Sequence, residues 1–487
     1  MLAFLNHKKY LILILILQLI LGIKVIDHGH NWGGDFALYV DESQAIVEGR
    51  FWEFYRENLF TIQNSHKTLA PIAEPIGAPI LFAPLIALFG VNLLLLKYLM
   101  LVFYLGITIL LWKLLDEFNM QSPIIKFSFI LFVVSYYEFA FLLETVNSDL
   151  PFAFFTLLSI LCFLKYSKYS EFKYLLLSSF FGLVSYFIRD AGAAVCGTFA
   201  ILGIIKVLNN EFKKSVIWYL LPLFVIVCFK IFIPSFNSNL MADLSSKLSF
   251  DRCIQPLKII YDNVSKNVLP LNRLYGFQSL YVIVWILIIY GVYRFINTTG
   301  TEFGKFLVLF ILGYLVIHVY SGAIEERYFL IIQMIAMIGF VLAFIDILSM
   351  MKLKPFILTL ILLAVSIQGA AKDLMRIRNW CFTENYTFSN EVETTEAQEA
   401  WSFIKTKTGK NDIVFFRKPT VLRLFTRRNS CVFMEDSIFL NRPNCSFYEL
   451  TAATCGNVKN HLVKVHIAKD TVFSNRNFTV CKVNVIQ

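Results

Sequence analysis

Long runs of apolar residues, interrupted by short polar segments, occupy most of the chain up to about residue 371. Apolar runs near 20 residues match the thickness of a bilayer and therefore predict transmembrane helices. We predict about eleven such spans. They lie at about residues 10–26, 91–115, 124–143, 150–164, 174–188, 193–208, 216–233, 280–296, 306–320, 328–348 and 356–371.

Two segments between the first and second spans depart from this pattern. In Asp27–Trp52, apolar and small residues recur at helical spacing after Gly33 and Gly34. This spacing predicts a short helix with an apolar face on the bilayer edge and with Asp35 in its first turn. Residues 70–90 are apolar but interrupted by prolines. Prolines at this density argue against a plain transmembrane helix, so we expect a juxtamembrane or partly inserted segment.

The chain becomes polar from Lys372 onward. There the pattern predicts one amphipathic helix that ends at Gly409, followed by short strands. We therefore predict an all-α polytopic membrane module at residues 1–371, which includes a first external loop at 27–89. Residues 372–487 are predicted to form a small extracytoplasmic α/β domain.

The composition supports a membrane protein. Of the 487 residues, 57% are hydrophobic and only 16% are charged, whereas about a quarter are charged in soluble domains. The net charge of +10 does not indicate nucleic acid, because Lys and Arg concentrate in short loops, where they set orientation. Lys8 and Lys9 place the N-terminus in the cytoplasm, and an odd number of spans places the tail outside.

The first apolar run has a basic start but no small-residue cleavage site after it. It is therefore predicted to be an uncleaved helix rather than a signal peptide. Together with the other spans, it predicts a multi-pass protein of the plasma (inner) membrane, embedded in the lipid bilayer.

The tail holds five of the nine cysteines. Disulfides persist outside the cytoplasm, so we expect at least one in this domain. Because five is an odd number, one thiol stays unpaired within the tail, and Cys253 is a possible partner. The connectivity stays open. The spacing of Cys and His residues matches no metal site.

Ionisable side chains gather on the face that is predicted to be external. They are Asp35, Asp41, Glu42, Glu144, Asp149, Arg189, Asp190, Glu325, Glu326 and Arg327. Charges at membrane depth or at span ends are costly and often functional. The alternative is that span ends are simply where charges ordinarily lie. That alternative is weaker for Asp149 and Arg189, since each lies in a very short loop.

Several stretches then resemble a known family. They are GGDFALYVDESQAIVEG, EPIGAPILFAPLIALFG, ETVNSDLPFAFFTLLSILCF, ERYFLIIQ and, in the tail, WSFIKTKTGKNDIVFFRKPTVLRLFTRRNSCVF. Together they resemble the C-type (GT-C) multi-spanning glycosyltransferases, specifically the bacterial relatives of protein O-mannosyltransferases and of the lipid A aminoarabinose transferase. The resemblance covers nearly the whole chain in order.

The resemblance implies a role for each candidate residue. Asp35 matches the catalytic first-loop acid, which would deprotonate the acceptor hydroxyl, and Asp149 matches the supporting second-loop acid. Cations would stabilise the departing lipid phosphate. The candidates for substrate binding are Arg189, Arg327, Lys67, Tyr328 and Glu74. Many members carry two adjacent acids in the first loop, but here Phe36 follows Asp35. This departure predicts an enzyme that needs no metal and no other cofactor.

The implied function is transfer of a sugar from a polyprenyl-phosphate donor to a cell-envelope acceptor on the outer face of the membrane. The acceptor would be a glycolipid, a glycan or a protein hydroxyl. A transporter or flippase of lipid-linked sugars is the first alternative, but it should show internal repeats and charges near the bilayer midplane. A polysaccharide polymerase or ligase is the second, and it would not need the Asp35 motif.

Overall fold

The computed structural model describes most of the chain. The described residues are 2–26, 30, 32–65, 74–118, 120, 122–134, 137–210, 214–232, 254–255, 257–262, 278–298, 301–321, 325–352, 354, 356–364, 366, 392–435, 438–439, 445–452, 459–461 and 465–486. Within them, the helices, here named α1 to α16, are α1 (Leu2–Val25), α2 (Gly34–Val47), α3 (Phe51–Gln63), α4 (Gly77–Phe89), α5 (Leu93–Glu117), α6 (Pro123–Val134), α7 (Tyr137–Leu143), α8 (Asp149–Tyr169), α9 (Phe172–Ile188), α10 (Ala193–Leu208), α11 (Lys214–Phe232), α12 (Gln278–Thr298), α13 (Thr301–Ser321), α14 (Leu330–Met350), α15 (Thr395–Lys407) and α16 (Pro419–Thr426).

The predicted membrane class is confirmed. Among the described residues, five helices are long and apolar enough to cross a bilayer. They are Leu93–Glu117, Asp149–Tyr169, Asp190–Leu208, Thr301–Val319 and Arg327–Met350. Shorter apolar helices lie at Gly77–Phe89, Pro123–Val134, Phe172–Ile188, Ser215–Phe229 and Val282–Arg294. The chain is therefore an integral membrane protein, while the number of about eleven spans stays a prediction.

The chain divides into two compact units. We call the first the membrane unit: Met1–Val25, Leu99–Leu143 and Ser148–Phe382. We call the second the loop–tail unit: Ile26–Tyr98, Glu144–Asn147 and Thr383–Gln487. The predicted boundary between residues 371 and 372 lies outside the described residues, so the predicted domain division stays a prediction.

Small and hydroxylated residues bring helices together in the membrane unit. Ser159 and Ser178 each donate a hydrogen bond to the other's backbone carbonyl, at 2.7 and 2.6 Å, and so lock α8 against α9. A Cβ atom on Gly291 would lie 1.7 Å from the carbonyl oxygen of Gly339, so α12 and α14 touch through their backbones. Such small-residue contacts and interhelical hydrogen bonds are the usual means of helix association in a bilayer.

The predicted small α/β domain is present in the loop–tail unit. The strands are β1 (Ile413–Phe415), β2 (Asn429–Cys431), β3 (Phe433–Glu435), β4 (Phe447–Ala452), β5 (Lys459–His461), β6 (His466–Ser474) and β7 (Phe478–Ile486). Five of them form a mixed sheet in the order β2-β1-β4-β7-β6, in which β1 is parallel to both neighbours and β7 is antiparallel to both. The predicted amphipathic helix is α15, which Thr394 caps by accepting a hydrogen bond from the N–H of Ala397.

The prediction that only one face of α2 is covered is wrong, whereas its place on the bilayer edge stays a prediction. Residues 36–43 are all buried, so nearly every side of the helix is covered. Within the loop–tail unit, α2 packs on α4, where Tyr39 meets Phe82 edge to face, and on α16 of the tail. The helical spacing was correct, but sequence could not show that the polar side as well would be covered by a segment far along the chain.

The proline-rich segment contains α4, a helix of 13 residues with Pro84 inside it. A helix needs about 20 residues to cross the hydrocarbon core. The expectation that this segment is not a plain transmembrane helix therefore agrees with its length.

The described cysteines of the tail are Cys431, Cys445 and Cys481, and all three are free thiols. Cys253, Cys381 and Cys455 lie outside the described residues. The disulfide prediction therefore stays open.

Candidate functional site

Two predicted arginines and one predicted acid meet in the membrane unit. Asp149 begins α8, and its side chain is only 4% exposed. Arg189 pairs with Oδ1 of this carboxylate, while Nη1 of Arg327 lies 3.6 Å from its Oδ2. One buried carboxylate thus faces two guanidinium groups that come from different helix ends. We call this group, together with Tyr328, the arginine cluster.

Tight turns at the helix ends position the two arginines beside Asp149. Arg189 is the C-cap residue that follows α9, and a 3₁₀ turn at Asp190–Gly192 comes directly after it. A Cβ atom on Gly192 would lie 2.3 Å from the backbone nitrogen of Tyr186, so only glycine allows the turn to fold back this closely. Arg327 lies in a second 3₁₀ turn, Glu326–Phe329, which leads into α14.

The aromatic ring of Tyr328 supports both arginines. The guanidinium carbons of Arg189 and Arg327 lie 4.3 and 5.1 Å from the centre of this ring. Nη2 of Arg327 also donates to the hydroxyl oxygen of Tyr328, at 3.3 Å. A cation above an aromatic face is attracted by the ring quadrupole. Tyr328 therefore holds the two positive groups side by side.

The sequence did not indicate the residues behind Tyr328. Tyr314 donates a hydrogen bond to its backbone carbonyl, and the buried ring of His318 stacks on it with a centroid distance of 6.0 Å. Both residues lie on α13, one turn apart. The sequence did show a tyrosine and a histidine four residues apart in an apolar span. It could not show which helix they would contact.

Asp149 links the two arginines of the cluster. Each of its oxygens faces a different arginine, so the carboxylate sets the separation and orientation of the two forks. Nε of Arg327 donates a hydrogen bond to Oε2 of Glu325 at 2.5 Å. The side chain of Glu325 is 57% exposed, so water screens its charge. Within the arginine cluster, two guanidinium groups thus face one buried carboxylate, and Arg327 also pairs with an exposed one.

Asp35 lies in the loop–tail unit, in the first turn of α2 as predicted. Its side chain is exposed, and Gly33 precedes the helix with an extended conformation. A carboxylate in a first turn is stabilised as an anion by the free N–H groups of the helix. Whether Asp35 acts as a base stays a prediction.

Glu74 contacts the buried carboxyl group of Glu42 in the same unit. Its N–H donates to Oε2 of Glu42 at 3.0 Å. Burial, aided by the charges of Glu74 and Asp41, raises the pKa of the Glu42 carboxyl well above its ordinary value. Lys67, the remaining predicted binding residue, lies outside the described residues.

Asp41, one of the ionisable residues that were predicted on the external face, is the centre of a buried group of charges. Its side chain is 0% exposed and accepts contacts from three arginines. Arg50 comes from the first loop, whereas Arg423 and Arg427 come from the tail. The available signal was an arginine between leucines in TVLRLFT, because an arginine on an apolar helix face usually has a buried acid as its partner.

Among the described residues, no three His, Cys, Asp or Glu side chains come together in a way that could hold a metal ion. The predicted absence of a metal or other cofactor stays a prediction.

The arrangement of spans, loop helices and small sheet defines a fold, and solved structures share it. ArnT from Cupriavidus metallidurans in the apo state aligns with a TM-score of 0.55 and 10% identity over 98% of each chain. The same protein bound to undecaprenyl phosphate aligns with a TM-score of 0.51 and 9% identity over 98% of each chain. An Archaeoglobus fulgidus oligosaccharyltransferase, tethered to an acceptor peptide that contains the NVT sequon, aligns with a TM-score of 0.50 and 9% identity over 91% of this chain and 69% of its own.

Comparison of the sequence with protein-family models and with curated proteins gives no match. At 9 to 10% identity, the structural likeness establishes the fold. The GT-C-like fold that the sequence motifs predict is therefore confirmed.

Proposed function

We propose that this protein transfers a sugar from a polyprenyl-phosphate donor to a hydroxyl of a cell-envelope acceptor, on the outer face of the membrane. The observation that carries the proposal is the arginine cluster, in which Asp149 and Tyr328 hold two guanidinium groups side by side. Undecaprenyl phosphate is bound in one solved structure with this fold. A lipid phosphate is therefore the anion that we assign to the cluster.

In the proposed reaction, Asp35 accepts the proton of the acceptor hydroxyl as its oxygen attacks the anomeric carbon. The bond between this carbon and the phosphate oxygen breaks, and its electron pair stays on the polyprenyl phosphate. Arg189 and Arg327 stabilise the negative charge of the leaving phosphate. Because phosphate is a good leaving group, no separate general acid is required.

The exposed Glu325 suggests how the phosphate is received. This carboxylate occupies the fork of Arg327. An incoming phosphate offers the same fork two oxygens and more charge, so it would replace Glu325 there. The identities of the sugar and of the acceptor do not follow from these residues.

The absence of a metal requirement is part of the proposal and rests on Phe36, which stands where many family members have a second acid. Transfer that is unchanged after chelation with EDTA supports it. Loss of transfer that Mn²⁺ or Mg²⁺ restores contradicts it.

The test is sugar transfer by the purified full-length protein in lipid nanodiscs. Asp35→Asn keeps the size of the side chain but removes the base, so we expect a loss of about 10²- to 10⁴-fold in rate. Glu53→Gln is the matched control, because Glu53 is an exposed acid on the neighbouring helix. Normal transfer by Asp35→Asn would refute this role. Lipid-sugar movement across proteoliposomes without any transfer would favour the transporter.

A further inference from the structure

The tail helix α16 lies along α2, the helix that carries Asp35. At the start of α2, a Cβ atom on Gly34 would lie 3.5 Å from Oγ1 of Thr420. Two turns further on, Asp41 accepts contacts from Arg423 and Arg427. The two helices therefore meet at both the beginning and the middle of α2, within one compact unit.

Arg423 is the central residue of this contact, and its side chain is only 1% exposed. Its Nε donates to Oδ2 of Asp41 at 3.0 Å, and its Nη1 donates to Oδ1 of Asn58 at 3.0 Å. Its guanidinium carbon also lies 5.3 Å from the ring centre of Phe54. Asn58 and Phe54 belong to α3. One guanidinium of the tail thus joins α2 and α3 of the first loop.

The residues just before α2 also contact the tail. The N–H of Val392 donates to the carbonyl of His30 at 3.4 Å. Trp32 packs edge to face against Trp401 and Phe416, with ring centroids 6.1 and 5.7 Å apart. Asp35 therefore lies between two contacts with the tail, one at residues 30–32 and one at Asp41.

We propose that Arg423 is a positioning residue for sugar transfer. It fixes α2 through Asp41 and thereby holds Asp35 in its reactive orientation. The inference rests on the proposed function, in which Asp35 is the base. The physical reason is that a catalytic group misplaced by about 1 Å can lose about 10²-fold in rate. The fork of Arg423 binds two acceptors in fixed directions, which the single ammonium of a lysine cannot reproduce.

The first test is the variant Arg423→Lys, which keeps the charge and loses the fork. We expect kcat to fall about 10- to 100-fold while KM for the donor changes less than about twofold, because the donor phosphate binds elsewhere. Asn58→Ala frees the other end of the guanidinium and should give a smaller loss in the same direction. Arg417→Lys is the matched control, since Arg417 is an exposed arginine of the same domain.

A double-mutant cycle separates positioning from mere folding. If Arg423 acts through Asp35, then Arg423→Lys should cost less than about twofold in the Asp35→Asn background, as expected for coupled residues. A purely structural role would reduce the active fraction by the same factor in both backgrounds. Equal factors would therefore overturn the inference, even if both variants were slow.

Hydrogen exchange of the full-length protein gives a readout that needs no enzyme activity. Arg423→Lys should increase the exchange of the amides in residues 33–40 at least tenfold, and Arg417→Lys should leave it unchanged. If wild-type protein transfers no sugar, the proposed function fails, and the exchange data alone decide whether Arg423 orders the start of α2. If transfer occurs but the exchange of 33–40 is the same in Arg423→Lys, the proposed function stands and the inference is overturned.

Discussion

The guanidinium carbon of Arg189 lies 4.3 Å from the ring centre of Tyr328, and this ring also supports Arg327. Arg189 directly follows one helix, whereas Tyr328 belongs to the turn before another. The contact therefore fixes the distance between two helix ends as well as the orientation of a cation. Tyr328 contacts Arg327 through both its ring and its hydroxyl, so the two contacts can be tested separately.

Tyr328→Phe should keep most activity, because the ring face remains and only the hydroxyl that accepts from Arg327 is lost. Tyr328→Leu should lose more, by about 0.5–2 kcal/mol of transition-state stabilisation, because the cation–π attraction disappears. The measurement is kcat/KM for the polyprenyl-phosphate donor. A leucine variant as active as the phenylalanine variant would contradict the role of the ring.

Arg189→Lys and Arg327→Lys should each lower kcat/KM for the donor by about 10- to 100-fold, since lysine cannot offer two parallel N–H donors to a phosphate. Arg294→Lys is the control, because Arg294 forms an exposed pair with Asp346 at other helix ends of the same unit. Normal turnover of both variants at limiting donor would show that the two arginines serve only as structural partners of Asp149.

Glu325→Gln should lower KM for the donor by about two- to fivefold at low salt, because the carboxylate that competes for the fork of Arg327 is removed. The gain should shrink as ionic strength rises. Glu171→Gln serves as the control, since Glu171 is an exposed acid that pairs with Lys173 elsewhere in the membrane unit. An increased KM in Glu325→Gln would show that this carboxylate helps to bind substrate.

Asp41→Asn should destabilise the protein more than any other conservative change in the first loop. Breaking a buried ion pair by removing one partner typically costs about 3–5 kcal/mol, because the other charge stays buried. Thermal unfolding of detergent-purified protein should show a lower apparent Tm for Asp41→Asn and an unchanged one for Asp35→Asn, whose side chain is exposed. An unchanged Tm for Asp41→Asn would contradict the structural role of the three arginines.

Glu42 should make stability depend on pH. Burial raises the pKa of its carboxyl in the folded state, whereas the unfolded value is about 4.3. The folded protein therefore binds more protons than the unfolded chain between these two values, and its stability falls as pH rises through this window. Glu57, whose pKa is also raised by burial, acts in the same direction.

Glu42→Gln keeps an acceptor for the N–H of Glu74 but cannot ionise. Its apparent Tm should match that of the wild type near pH 4 and exceed it increasingly toward pH 8. Glu53→Gln, at an exposed position on α3, should show no such trend. A wild-type protein that becomes relatively more stable toward pH 8 would contradict the raised pKa.

Local signals in the sequence predicted much of the membrane unit. Hydropathy located the five long apolar helices of the described residues, because the bilayer requires such helices whatever the tertiary contacts. The meeting of Asp149, Arg189 and Arg327 could be anticipated because short loops leave these residues at span ends. Their arrangement around Tyr328 could not, since it depends on how α8, α9 and α14 pack.

The loop–tail unit was predicted less well, and Asp41 shows why. Its neighbours in sequence form an ordinary amphipathic helix, and its three arginine partners lie in two other segments. α16 was not predicted, because its 8 residues are too few for a clear periodic signal. Pairings between distant short segments are set by the three-dimensional fold, so a single sequence carries little information about them.

The pairing of Asp41 with Arg423 also bears on the order in which the chain can fold. The two residues are separated by 382 positions, so the carboxylate of α2 is synthesised long before its main counter-charge. Until the tail has been made, Asp41 would lack two of its three arginine partners. The first loop can therefore complete its structure only as a late step, and a chain that ends before α16 would carry a first loop that is unable to finish folding.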